Sequence, residues 1–263
     1  MSNFTDWAEN EVCRIIAGGN ASFPENLHIA LCSGADDTGF TDVPGLPRVA
    51  VARNLVNWSG TQGIGTVAPS NGTTRTIYNN VAFEFGEAEQ FVVASYIGIY
   101  SGENPLAYVP MAYAMEINAG DDVKIDAGEI VLTLESAGGL THFAVNKLFD
   151  MIFRGQTYLF QSSYKIGLFT TAPSLSGGGI EARGGDYNRA TLAAWTEPQD
   201  GAISNAAKIT FPAPQDSWGT VEAAALFSGD DMIFTAALPT PRSIPAGAGA
   251  PFFPANSITM PVL

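Results

Sequence analysis

Histidine and cysteine are nearly missing from this chain, with two of each in 263 residues. A Ser-His-Asp hydrolase would have to be built on His28 or His142. His28 falls inside a strand pattern, and His142 stands at a helix start, where it caps or meets solvent. Neither placement suits a triad. A four-ligand zinc site of the usual Cys/His kind lacks its ligands, so no metal and no cofactor is expected. Cys13 lies on a helix pattern and Cys32 at the end of a strand pattern. A disulfide is geometrically open to them, but both read better as small buried hydrophobes. Charge is scarce too, at 14% of residues, and basic charge is scarcest: 12 Lys and Arg against 26 Asp and Glu, for a net of −14. The twelve cations form no run. Nucleic-acid phosphates would be repelled by such a surface, so nucleic acid is not an expected partner. No apolar run approaches the roughly 20 residues of a membrane-spanning helix, so no membrane is expected either. The opening Met-Ser-Asn-Phe-Thr-Asp has neither the basic start nor the apolar run of a secretion signal. The expectation is a chain made and assembled in a cytoplasm.

Glycine (28), proline (16) and hydrophobic residues (46%) are plentiful, which favours short strands and turns around more than one core. Thr5 to Ala17 reads as an amphipathic helix, capped by Thr5 or Asp6 and ended by Gly18-Gly19. Strands are expected at Leu27–Leu31, Arg48–Leu55, Asn79–Phe85, Phe91–Tyr100, Leu106–Val109, Met115–Asn118 and Glu129–Glu135. Polar Ser33 to Pro47 and Gly/Ser/Thr/Asn-rich Ser59 to Thr76 read as loops.

After Glu135 the programme starts again. Ala144 to Gln156 lies against Ala8 to Asn20, Tyr164–Leu168 against Leu27–Leu31, and Arg189 against Arg48. Asn205–Phe211 lies against Asn79–Phe85, Ala224–Ser228 against Ile97–Ser101, and Ile244–Gly247 against Ile117–Gly120. Ile258–Val262 closes as Ile130–Leu134 does, and Phe149 and Phe169 stand where Cys13 and Cys32 do. The offset falls from about 136 to about 127, which places the length differences in loops. The expected architecture is mainly β: two tandem β-sandwich or jelly-roll-like domains, each preceded by a short α-helix. The boundaries are 1–135, a linker at 136–141, and 142–263. Charge divides there as well. Up to Gly138 there are 17 acidic against 5 basic residues, a net of −12; beyond it there are 9 against 7, a net of −2. One repeat exposed to water and one docked would account for this difference.

Few residues carry chemistry. The pairs Asp36-Asp37, Asp121-Asp122 and Asp230-Asp231 match no calcium loop and read as solvated turns. Gly177-Gly178-Gly179 and Gly184-Gly185 lack the Lys-Ser/Thr and the strand-to-helix setting of a phosphate loop. Tyrosines and the four tryptophans, Trp7, Trp58, Trp195 and Trp218, offer stacking surfaces for sugars or packing for cores and interfaces. The candidate interaction loops carry Trp58, Gly177, Gly178, Gly179, Tyr187, Arg189, Trp195 and Trp218.

Several ordered segments of the second repeat point further: Tyr164–Pro173, Gly177–Arg189, Ser204-Asn-Ala, Ile209–Pro214, Asp216–Val221, Ala225–Phe227 and Leu238–Gly247, joined by Arg48–Gly63 of the first. They resemble a family of small bacteriophage virion proteins of tail-fibre-like character. That family has a single domain, so the tandem is a departure, and the first repeat lacks the triple glycine and the Trp-Gly-Thr of Trp218–Thr220. The resemblance implies a structural, non-enzymatic virion component, tail- or fibre-associated, working through contacts with other virion proteins in a multi-copy homo-oligomeric assembly. A capsid decoration protein and a receptor- or carbohydrate-binding module are the alternatives. A depolymerase would need paired carboxylates in a cleft.

Overall fold

The computed structural model describes residues 4–19, 23–59, 76–133, 139–158, 160 and 163–261. The Ser59–Thr76 span expected as loop falls mostly outside them, as do residues 134–138 of the expected boundary.

Among the described residues, two helices and nineteen strands follow the order of the repeats. Helix α1 (Asp6–Ile16) precedes β1 (Asn26–Asp36), β2 (Gly39–Asp42), β3 (Val49–Ala52), β4 (Trp58–Ser59), β5 (Thr76–Asn79), β6 (Phe83–Glu87), β7 (Val92–Ser101), β8 (Asn104–Ile117), β9 (Asp122–Ile125) and β10 (Val131–Thr133). Helix α2 (His142–Phe153) precedes β11 (Tyr164–Thr171), β12 (Ile180–Glu181), β13 (Ala190–Leu192), β14 (Ala202–Ser204), β15 (Ile209–Thr210), β16 (Gly219–Ser228), β17 (Asp231–Ile244), β18 (Phe252–Phe253) and β19 (Thr259–Pro261). The fold is mainly β, in two sandwich-like halves that each begin with a short helix.

Each half has one large antiparallel sheet, ordered β2-β1-β7-β8 with β3 also on β1, and β12-β11-β16-β17 with β13 also on β11. Smaller sheets complete the layers: β10-β5-β4 and β6-β9 in the first half, β14-β19 and β15-β18 in the second. Core side chains alternate inward along the central strands, as Leu27, Ile29 and Leu31 do on β1 and Tyr164, Ile166 and Leu168 on β11.

Several strand expectations need correction. Ser33–Pro47 is not all loop. β1 runs on to Asp36 and turns back as β2, because Asp36 accepts the amides of Thr38 and Gly39 and closes a tight turn. Asn79–Phe85 is two strands rather than one. The chain leaves β5 at Asn79, whose fully buried side chain is spent on other backbone. Its amide donates to the carbonyls of Val81 and Asp126, and its oxygen accepts from Gly128 and Ile130. Asn205 repeats the device, donating to Ala207 and Pro254 and accepting from Ile258. The two short strands expected at 106–109 and 115–118 are one, β8. Its register on β7 jumps from Tyr96–Pro110 to Ala94–Met115, so residues 111–114 bulge outward opposite a single residue. β17 bulges at 238–241 in the same place. These are sheet-edge strands, and prolines at 105, 110, 239 and 241 deny them to a further strand.

The helices start alike. Thr5 and Thr141 cap them, accepting from Ala8 and Ala144, and each hydroxyl also donates to the start of the edge strand, at Pro105 and Met232. They end differently from what repeat order suggests. One compact unit comprises Met1–Glu11, Ala21–Glu135 and Asn146–Tyr158; the other comprises Val12–Asn20, Ser136–Val145 and Leu159–Leu263. Sequence repeat and compact unit therefore differ by the C-terminal halves of the two helices.

In the first unit Phe153 meets Trp58 at 5.0 Å and Phe4 at 6.4 Å between ring centroids. Arg53 donates to the last carbonyls of α2, at Met151 and Ile152, and to Phe23 and Pro24. Gly155 closes the end of α2 at φ +63, where a Cβ would stand 2.6 Å from the Arg53 carbonyl oxygen. In the second unit the Tyr164 hydroxyl donates to the Ile16 carbonyl at the end of α1.

Candidate functional site

Both units build one polar cluster on the outer face of the large sheet. In the first, Arg48 lies just before β3 with its guanidinium carbon 3.6 Å from the ring centre of Tyr100 on β7. Its Nε donates to Asp42 at 2.7 Å, and its Nη1 reaches Glu103 at 3.2 Å. Tyr100 also donates to Asp42. Burial, then the charge and hydrogen bond of Asp42, push the Cys32 thiol up to about 12, so it stays a thiol at neutral pH. The Tyr100 phenol is pushed well above its ordinary range by burial and by Asp42. Phe40 folds over this group, 5.0 Å from Tyr100 and 5.9 Å from Tyr108.

In the second unit Arg189 lies 3.4 Å over Phe227, the residue matching Tyr100. Its Nε and Nη2 each donate to Glu181 at 2.8 Å, a bidentate pair. The phenol comes from another element here: Tyr187 donates to Glu181 at 3.0 Å and accepts from the Leu168 amide at 2.8 Å. Burial raises the Glu181 carboxyl, but the hydrogen bonds of Arg189 and Tyr187 and the Arg189 charge outweigh it and leave it below its ordinary value. Arginine keeps its proton at any working pH, and each carboxylate is spent on partners. These clusters strap the β2–β3 and β12–β13 connections to their sheets.

Five of the expected interaction residues gather around the second strap. Gly177, Gly178 and Gly179 form the turn into β12, all at positive φ, with Tyr187 and Arg189 beyond it. Trp218 also joins them, as a core residue: it is buried, 5.1 Å from Tyr187, and its Nε1 donates to Asp186. A Cβ on Gly184 would stand 2.7 Å from the Trp218 ring, so the Gly184-Gly185 segment is a close-packed strap. Trp58, at 0% exposed, presents no ring to a ligand, because α2 and Phe83 cover it. Trp195 is half-buried against Tyr164, and its Nε1 has no hydrogen-bond partner among the described residues.

Trp195 lines one of two clefts in the second unit that flank the 238–241 bulge. That cleft, of about 220 Å³, also has Ile166, Leu226 and Phe234 in its walls. The other, of about 290 Å³, has a floor of Leu168, Phe211, Val221 and Ile244 and a mouth carrying Phe252 and Arg242. Phe252 is 49% exposed, and the Lys208 ammonium stands 4.0 Å over its ring. Sequence pattern matched Phe211 to Phe85 and Ile244 to Ile117 as repeat positions and did not reveal the cleft that they line. Among the described residues no group of three or more His, Cys, Asp or Glu side chains is placed to hold a metal ion, and no helix is long and apolar enough to cross a membrane.

Comparison with known families places the repeat on firm ground. The family model described as podophage GP4 fiber I protein gp80 matches two segments, residues 3–133 and 139–261, one for each repeat. No curated protein matches the chain.

Proposed function

The chain belongs to the podophage GP4 fiber I protein gp80 family, as a tandem of two family units, and from that premise we propose that it works as a non-enzymatic assembly part of the fibre. It is a bacteriophage structural protein of tail-fibre kind; its mode of action is surface complementarity to other virion proteins, in several copies per particle. The supporting observation is the contrast between the two units. The near-neutral second repeat carries apolar clefts beside a proline-blocked edge, whereas the first repeat is strongly acidic. Edge-strand addition is the weaker mode here, since both edges are interrupted by bulges and prolines.

The test is the position and copy number of the protein on purified particles, read by cryo-electron microscopy. Copies at the fibre support the reading. Even coverage of the shell would replace it with capsid decoration. Glycan binding by the isolated protein that disappears on Trp195→Ala would replace it with a receptor module. Phe252→Glu sets a carboxylate at the cleft mouth and is expected to abolish incorporation; normal incorporation would overturn docking through the second unit.

A further inference from the structure

We propose that the exposed apolar bulge near the open end of the first unit's β7–β8 hairpin enters the cleft of the second unit of a neighbouring copy, so that identical chains associate head to tail. This rests on the reading of the chain as a multi-copy assembly part and names the contact. Phe91, Val93 and Tyr113 are 59%, 38% and 88% exposed. Phe91 and Val93 are two residues apart and so share one side of the extended chain, and Tyr113 lies in the 111–114 bulge, which stands opposite Ser95, two residues along from Val93. Water-facing apolar side chains grouped in this way mark an interaction surface.

The second unit has the opposite character at the same places. Register along the two hairpins matches Phe91 to buried Trp218, Val93 to Thr220 and Tyr113 to Thr240, which sits on the rim of the cleft. A knob has thus diverged from a hole. An apolar cavity of about 150 Å³ already accepts benzene, so a cleft of about 290 Å³ has room for the Tyr113 ring. The phenol oxygen would stay at the wet mouth, as tyrosine favours at interfaces. Charge agrees with shape. Glu116, paired across the strands with Val93, and exposed Glu87 and Glu89 border the knob, while Arg242 and Lys208 border the hole. Because knob and hole lie on different patches of one chain, the contact is heterologous. It leaves a free knob and a free hole at the ends until a ring closes or a filament grows.

The experiment is sedimentation of the purified full chain across the micromolar range. Concentration-dependent association is expected, and a chain that stays monomeric overturns the proposal. Tyr113→Ser and Arg242→Glu each should weaken association about tenfold or more, with thermal melting unchanged because both side chains face water. Glu116→Arg combined with Arg242→Glu should recover much of the loss. Mixing a Tyr113→Cys chain with a Thr240→Cys chain under mild oxidation should give mixed disulfide dimers. Cross-linking of Tyr113→Cys chains to one another alone would show a symmetric contact and overturn the head-to-tail geometry. Variants at Tyr113 that enter particles normally, while Phe252→Glu does not, would show that the cleft holds another virion protein. That result overturns this contact and leaves the proposed function standing.

Discussion

The two units solve one structural problem with different residues. Each must tie a long strand connection to the face of its large sheet, and each does so with an arginine laid on an aromatic ring and paired to a carboxylate. In the first unit the ring is Tyr100, which spends its own hydroxyl on Asp42. In the second the ring is Phe227, and Tyr187 on the strap itself supplies the hydroxyl to Glu181. The geometry persisted while the donor moved. The surfaces did not persist: the first unit exposes aromatics near the open end of its hairpin, and the second unit has a hollow beside the matching bulge. The difference teaches that internal ties and outer surfaces answer to different constraints. A tie fails if its carboxylate loses its partners, whereas a water-facing residue changes at little cost to stability.

The comparison breaks most severely if the repeats are separated. A fragment of residues 1–135 lacks the Asn146–Tyr158 segment that belongs to the first unit and should show no cooperative melting by circular dichroism. Adding the 136–263 fragment should restore it; a cooperatively folding 1–135 fragment would mean that the exchanged helix end is dispensable. Next in size is the pair of buried asparagines. Asn79→Leu and Asn205→Leu each orphan several buried backbone groups and should each cost about 3 kcal/mol or more in urea unfolding. A loss confined to one repeat would show that the device matters in only one.

Smaller effects sharpen the contrast between the straps. Arg189→Met removes a bidentate, half-buried pair and should cost about 2 kcal/mol. Arg48→Met should cost less, because Tyr100 still donates to Asp42 in its absence. Equal losses would contradict the different division of labour. The smallest effect concerns α1. Glu9 stands where α2 has buried Val145, and its carboxyl is pushed up to about 7 by burial and by the charges of Asp6 and Asp37. Between its ordinary value of 4.5 and about 7 the folded chain holds a proton that the unfolded chain does not. Stability from this group is therefore present at low pH and lost as pH rises toward 7. Glu9→Gln should raise the melting temperature by about 2 °C at pH 8 and leave it unchanged at pH 5. A rise of equal size at both values would show that ionisation plays no part.

Much of this was legible in particular residues. Thr5 announced a helix start that the structure caps through its hydroxyl, and Thr141 does the same at the second helix. The match of Asn79 to Asn205 and of Arg48 to Arg189 marked the keystones, though not their task. The cleft was hidden, because a hollow between layers leaves its lining as hydrophobic as a filled core. Trp58 was misjudged as an interaction residue because a tryptophan near a loop reads alike whether or not something covers it, and what covers it lies about 95 residues further on.

Sequence alone determined the repeat, the helix that opens each half and many of the strands, since these follow from side-chain periodicity and from hydrogen bonds between near neighbours. Tertiary structure alone decided which unit receives each helix end. After a duplication, two similar helices and two similar sheets can satisfy the same local pattern in either pairing. Only long-range contacts choose between them: Arg53 on the carbonyls of Met151 and Ile152, Phe153 against Trp58, and Tyr164 on Ile16.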